Sequence, residues 1–165
     1  MKKNWLILVA AIALSLALIA VWVKQTIDKI CVNISFGEID TSSLNFSWNN
    51  TLSTTIDSTI KILFLNKSDL SLKFKVHLVE VYHDFSLIAR INEEQNILVM
   101  SNSVSQIELP VVLNIKPSSV QSLIAYFGNQ DLEIQYLVRL SFWGIPFNVN
   151  RTRTINKTET QIQCT

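Results

Sequence analysis

Glycine is scarce in this chain: three among 165 residues, none close to another, alongside three prolines. That excludes a Gly-rich phosphate loop, which needs closely spaced glycines to bring backbone N–H groups onto a phosphate. It also excludes a long flexible linker or a low-complexity tract. Histidine and cysteine are equally sparse, two of each. A metal site needs several such ligands at compatible spacing, and nothing around His77 or His83 supplies them. Both histidines therefore read as exposed strand residues. Basic charge is lacking too. Lys2 and Lys3 stand apart at the start, so 12 of the 14 Lys and Arg remain against 13 Asp and Glu, a formal charge of −1. Such a balance offers no basic face, and nucleic acid is not expected as a partner. No cofactor is expected either.

What the chain has is grease at the front. Trp5 to Val23 contains no charge, and Ser15 is its only polar residue. At about 1.5 Å of helical rise per residue the run reaches roughly 28 Å, close to the ~30 Å hydrocarbon core of a bilayer. A backbone crossing that slab must satisfy its own polar groups, which a helix does. Trp5 and Trp22 close the two ends, where indoles favour the membrane–water boundary. A cleavable signal peptide is the rival reading, and Lys2 and Lys3 fit both. Its apolar stretch is usually shorter, roughly 7–15 residues, and ends in a small-x-small cleavage site, whereas this run ends Ala20-Val21-Trp22-Val23. The sequence favours an uncleaved signal anchor. Lysines flank both ends of the run, so the positive-inside signal for orientation is modest.

Six Asn-x-Ser/Thr sequons follow, at Asn33, Asn45, Asn49, Asn66, Asn150 and Asn156, all candidate N-glycosylation sites. Compositional accident is the bland alternative. Cys31 lies just past the apolar run and Cys164 next to the last residue, so a candidate disulfide between them would tie the ends of the folded region together. Such a bridge implies an oxidising compartment; two free thiols are the alternative. Sequons and cysteines together place the N-terminus in the cytoplasm and residues 24–165 outside, on a cell-membrane, single-pass protein. The expected division is a cytoplasmic 1–4, a span over 5–23, a stalk with the first strand or strands over 24–53, and a folded domain over 54–165.

The folded part reads as strands. Leu44–Trp48 is a short one within a Ser/Thr/Asn-rich stretch. Ile56, Ile60, Ile62 and Phe64 share one face; Leu70, Leu72, Phe74, Val76 and Leu78 alternate with polar residues. The phase flips at Leu78–Val79, which predicts a bulge or a corner before Val81 and His83. Phe85–Ile91 and Ile97–Met100 follow. The next strand, Ile107 to Ile115, carries Pro110 on its outer side, which marks an edge strand or an irregular point. One helix interrupts: Val120, Leu123, Ile124 and Phe127 recur at helical spacing, with Ser118 and Gln121 as capping box and Gly128 as stop. Leu132 to Phe142 alternates strictly, Trp143-Gly144 makes a tight connection, and a last strand runs to about Ile155. About seven antiparallel strands with one helix predict an all-β, immunoglobulin- or fibronectin-III-like antiparallel β-sandwich behind a single N-terminal transmembrane helix.

No catalytic constellation emerges from the sequence. Glu93 and Glu94 are adjacent and read as a solvated turn, since neighbours along a strand point to opposite faces. Ser119 and Ser122 lack a base and a strained elbow. The pairs Tyr126-Phe127 and Phe142-Trp143 read as core for about half their members, with a lipid- or partner-binding patch as the alternative.

The pattern resembles the late-embryogenesis-abundant group 2 family, also called the WHy (water stress and hypersensitive response) domain, over roughly Ile56 to Ile155. In that family a hydrophobic strand ends in an Asn-Pro-Asn-like turn and an alternating strand follows. IKILFLNKSDLSLKFKVHLVEVY stands in that place, with Asn66-Lys-Ser-Asp69 at the turn. SQIELPVVLNI, SSVQSLIAYFG and LEIQYLVRLSFWGIPFNV then match its leucine–proline–valine strand, short helix and closing hairpin. The resemblance implies a sandwich outside the cytoplasm on one N-terminal span, no catalytic residues, and a role in stress or desiccation protection or in surface signalling.

Two further functions stay open. The 31–55 stretch is a candidate donor strand for a surface filament or coat that self-associates by strand addition. Alternatively, the gap between the sheets takes an acyl chain, as in a lipid-binding or transfer module. The expected partners are thus the membrane, other surface proteins or lipid, and a second copy.

Overall fold

The computed structural model describes residues 2–47, 53–116, 121–122, 124–126, 128 and 130–156. Helix α1 covers Lys2–Asp28, and eight strands follow: β1 (Ile30–Ser47), β2 (Ser53–Asn66), β3 (Leu72–His83), β4 (Ser86–Ile91), β5 (Gln95–Val99), β6 (Ser103–Ile115), β7 (Leu132–Phe142) and β8 (Ile145–Ile155). One sheet has the order β1-β2-β6; the other runs β4-β3-β7-β8, with β5 also on β3. Every pairing is antiparallel.

Period-two alternation decides which faces meet. Ile60, Ile62 and Phe64 of β2 are fully buried, as are Val76, Ile134, Val138 and Leu140 opposite them. Phe64 stacks on Phe74 across the interface, ring centroids 6.4 Å apart. The Tyr136 hydroxyl donates to the Val32 carbonyl at 2.8 Å, a bond from the second sheet to the first. Burial pushes the Tyr136 phenol up from its ordinary pKa. The two apolar faces thus close into the expected all-β sandwich.

Local sequence explains the connections. Trp143 and Gly144 both have positive φ, 50° and 77°, in a two-residue turn between Phe142 and Ile145. That conformation suits the twist of a tight hairpin. The predicted bulge is present: the β3–β7 register shifts between Val76 and Leu78, so His77 is the extra residue. Pro110 lies on β6, an edge strand of the three-stranded sheet, where a residue without an N–H is tolerated. Residues 121–122 and 124–126 are helical, and the chain leaves them through Gly128 N–H to Ile124 C=O (3.0 Å) and Gln130 N–H to Ala125 C=O (2.9 Å). The expected N-terminal cap at Ser118 lies outside the described residues.

Residues 24–53 are the stretch expected as a stalk with the first strand or strands. Residues 24–28 continue α1, Lys29 alone separates it from β1, and Ile30 to Ser47 is one strand paired to β2. Val23 and Thr26 are buried and Ile27 is partly so, an i, i+3, i+4 stripe that seats the helix end on the sandwich, and Ile30 is buried at the start of β1. Leu70, expected inside, is 46% exposed, because the chain is still turning before β3 starts at Leu72. Phe85, expected to open a strand, occupies the β3–β4 turn instead. Residues 7–22 of α1 are exposed, and within Ile7–Asp28 an 18-residue window reaches a mean hydropathy of 2.5, long and apolar enough to cross a membrane.

Candidate functional site

β4 and β5 lie along the same edge of β3, with residues 92–94 bridging the gap between them. This puts Glu94 beside the bulged His77. Its Oε1 lies 3.0 Å from His77 Nδ1, while His77 Nε2 lies 2.8 Å from the Ser141 hydroxyl on β7. Lys75, two residues before His77 on the same face, forms an ion pair with the other Glu94 oxygen. Hydrogen bonds from Lys75 first, then His77, hold the Glu94 carboxyl below its ordinary pKa.

Serine, histidine and glutamate in this order have the connectivity of a nucleophilic triad. Acyl transfer also needs donors aimed at a developing oxyanion. β7 is paired on both sides, Ser141 opposite Lys75 on β3 and Pro146 on β8. Backbone N–H groups around Ser141 therefore point along the sheet into ladder bonds, away from anything bound over the hydroxyl. The side chains lie on a wet face, Glu94 57% exposed. The arrangement is a cross-strand polar network that ties β3, β7 and the 92–94 bridge together. Ser141 escapes a reading of the sequence because it is one of many strand serines, and only the register with β3 brings it to His77.

The remaining candidates separate cleanly. His83 is buried, not exposed: its Nδ1 lies 2.8 Å from the Glu133 carbonyl and its Nε2 3.4 Å from Asp84. Glu93 lines an open cleft of about 540 Å³ where β4 meets β6, together with Asp57, Arg90 and Asn114. Glu80, on β3, is nearly buried yet satisfied, accepting from Arg90 Nε at 3.1 Å and from the Tyr82 hydroxyl at 2.9 Å. Among the described residues no group of three or more His, Cys, Asp or Glu is placed to hold a metal. Ser122 lies in the helical residues; Ser119 and Phe127 are outside the described ones. Tyr126 and Phe142 are core, and Trp143 is 74% exposed.

Cys31 is disulfide-bonded; Cys164, the other cysteine of the sequence, lies outside the described residues. Of the sequons, Asn150 on β8 is exposed, and Asn156 donates to Asp131 at 2.7 Å. Asn45 pairs with Thr55 in the β1–β2 ladder, and Asn49 is outside the described residues. Asn33 and Asn66 are buried. Asn66 Nδ2 donates to the carbonyls of Leu70 (2.7 Å), Met100 (3.0 Å) and Val99 (3.3 Å). A glycan on that nitrogen would displace these bonds, and burial leaves it no room.

No protein-family model and no curated protein matches the sequence. Solved structures do resemble it in overall form. A protein from Archaeoglobus fulgidus is 12% identical, with 80% of this chain and 98% of that one covered and a TM-score of 0.39. The structural-genomics target SoR45 is 10% identical, covering 83% and 93%, with a TM-score of 0.43. AT1g01470 from Arabidopsis thaliana is 9% identical, covering 79% and 80%, with a TM-score of 0.40. No function is carried across from them.

Proposed function

We propose that this chain is a non-enzymatic, membrane-anchored β-sandwich of the late-embryogenesis-abundant group 2 kind, held outside the cytoplasm and serving stress protection or surface interaction. The observation that carries this reading is the direct passage from an exposed apolar helix into a sandwich, with Lys29 the only residue between α1 and β1. Such a helix in water would expose far more apolar surface than soluble monomers leave uncovered, and a bilayer covers it. The order of strands, short helix and closing hairpin supports the family reading.

Strand donation is less well supported. The 31–55 stretch named as donor is largely committed to its own sheet, Cys31 to Ser47 pairing with β2. Acyl-chain binding between the sheets meets a core already filled by Phe64, Phe74, Tyr136 and their neighbours.

Protease protection of intact cells, combined with glycan detection, tests the proposal. Digestion of the sandwich from outside and retention of the full chain in the membrane fraction are expected. Recovery in the soluble fraction after gentle breakage would refute the anchor. A deletion strain indistinguishable from its parent under desiccation and heat would remove the stress role.

A further inference from the structure

We infer that the sandwich makes a second attachment to the bilayer: the Trp143-Gly144 hairpin tip and the adjoining 67–71 and 100–102 turns sit in the lipid headgroup layer. The inference rests on the reading of α1 as a membrane span, and adds where the domain sits relative to that span.

Topology collects these segments at one end. Lys67 N–H bonds the Lys29 carbonyl at 3.1 Å, and Asn102 N–H bonds the Ser68 carbonyl at 3.1 Å, so both turns cluster at the foot of α1. Phe74 pairs with Phe142 in register, which brings the β7–β8 tip to the same end. The tip touches the helix directly: the rings of Trp143 and Trp22 lie 6.0 Å apart. With Val23 and Thr26 buried against the sandwich and one residue between helix and strand, the domain has little freedom to tilt away. If Trp22 marks the membrane boundary, Trp143 lies at the same depth.

The composition of that end suits the headgroup layer. Trp143 is 74% exposed, Met100 53%, Ile145 48% and Leu70 46%. An exposed indole stacked on Phe142, centroids 5.0 Å apart, presents an apolar body with a polar N–H, as interfacial tryptophans do. Trp143 also holds a positive φ of 50°, an unfavourable conformation for a bulky side chain that Asn or Gly would adopt at less cost. Lys24, Lys29 and Lys67 are exposed at this end and complement lipid phosphates, with Asp28 and Asp69 offsetting part of that charge.

The test places the full chain in phosphatidylcholine vesicles whose acyl chains are brominated either near the headgroup or near the chain termini. A single-tryptophan variant keeps Trp143 and replaces Trp5, Trp22 and Trp48 by Phe; a second keeps Trp22. Expected is a roughly two-fold loss of Trp143 emission with bromine near the headgroup, a smaller loss with bromine near the termini, and blue-shifted emission. A quenched Trp22 with an unquenched, red-shifted Trp143 would overturn the inference while leaving the anchor intact. An unquenched Trp22 would overturn the anchor itself, and the inference with it. Should the triple substitution fail to fold, the difference in quenching between the unmodified chain and Trp143→Phe reads the same quantity. No difference there would equally overturn the inference.

Discussion

The side-chain oxygen of Asn66 accepts two hydrogen bonds from Ser68, from its backbone N–H at 2.9 Å and its hydroxyl at 2.6 Å. This is an Asx turn, and the amide nitrogen of the same side chain holds the carbonyls of Leu70, Val99 and Met100. One buried side chain thus clamps the end of β2 to the end of β5. The tripeptide that reads as a glycan acceptor is a folding motif, because the spacing that defines a sequon also places a hydroxyl two residues after an Asn.

Asn66→Ala removes a donor shared by three carbonyls, of which that of Val99 is buried, while those of Leu70 and Met100 keep the Ser68 and Ser103 hydroxyls, and it dissolves the Asx turn. It should destabilise the chain by about 2–4 kcal/mol, and Ser68→Ala by about 1 kcal/mol. Thermal unfolding of the detergent-solubilised chain, followed by circular dichroism, measures both. Glycopeptide mapping should find Asn66 bare. A glycan at Asn66 would refute the clamp.

Glu94 carries a pH dependence of known sign. Its folded pKa is held below the ordinary 4.5 by Lys75 and then His77. The unfolded chain binds the proton first, so this contribution to stability is present above the unfolded pKa. It is lost as pH falls through the lower folded value. Unfolding midpoints measured from neutral pH downward should fall over that window. Glu94→Gln should flatten that part of the curve; an unchanged slope would show that the ion pair with Lys75 does not form in solution.

Ser141 should be inert despite its 2.8 Å contact with His77. With the backbone N–H groups around Ser141 turned into ladder bonds, a fluorophosphonate probe should leave the protein unlabelled, and Ser141→Ala should cost no more than the roughly 0.5–1.5 kcal/mol of an ordinary hydrogen bond. Covalent labelling at Ser141, checked by peptide mass spectrometry, would make the network catalytic and the non-enzymatic reading wrong.

The strands are legible in the sequence because alternation is a local signal. It assigns faces without fixing which strand pairs with which: Ile134, Tyr136, Val138, Leu140 and Phe142 alternate in sequence and are all buried. The β3 bulge shows as two apolar residues in succession, Leu78 and Val79. What stays hidden depends on register between distant strands. His77 meets Ser141 across 64 positions, and His83 is buried by a contact with Glu133. Spacing names neither partner. The helix seat is hidden for a related reason: Val23 closes the apolar run and Thr26 and Ile27 fall in the stretch expected as stalk, and only the fold shows Val23 in the core, Thr26 buried and Ile27 packed against it.

The β3–β4 turn holds Asp84 and Phe85 at positive φ, 47° and 58°, with Phe85 89% exposed. A two-residue turn of this kind favours Asn-Gly or Asp-Gly, because the left-handed conformation costs a residue with a Cβ about 1–2 kcal/mol. Phe85 has little burial to offset that cost. Phe85→Gly should therefore stabilise the chain, by about 1 kcal/mol once the extra freedom of glycine in the unfolded state is subtracted. Thermal unfolding of the variant beside the parent measures it. A lower midpoint would mean that the phenyl ring makes a contact in solution that outweighs the strain of its backbone.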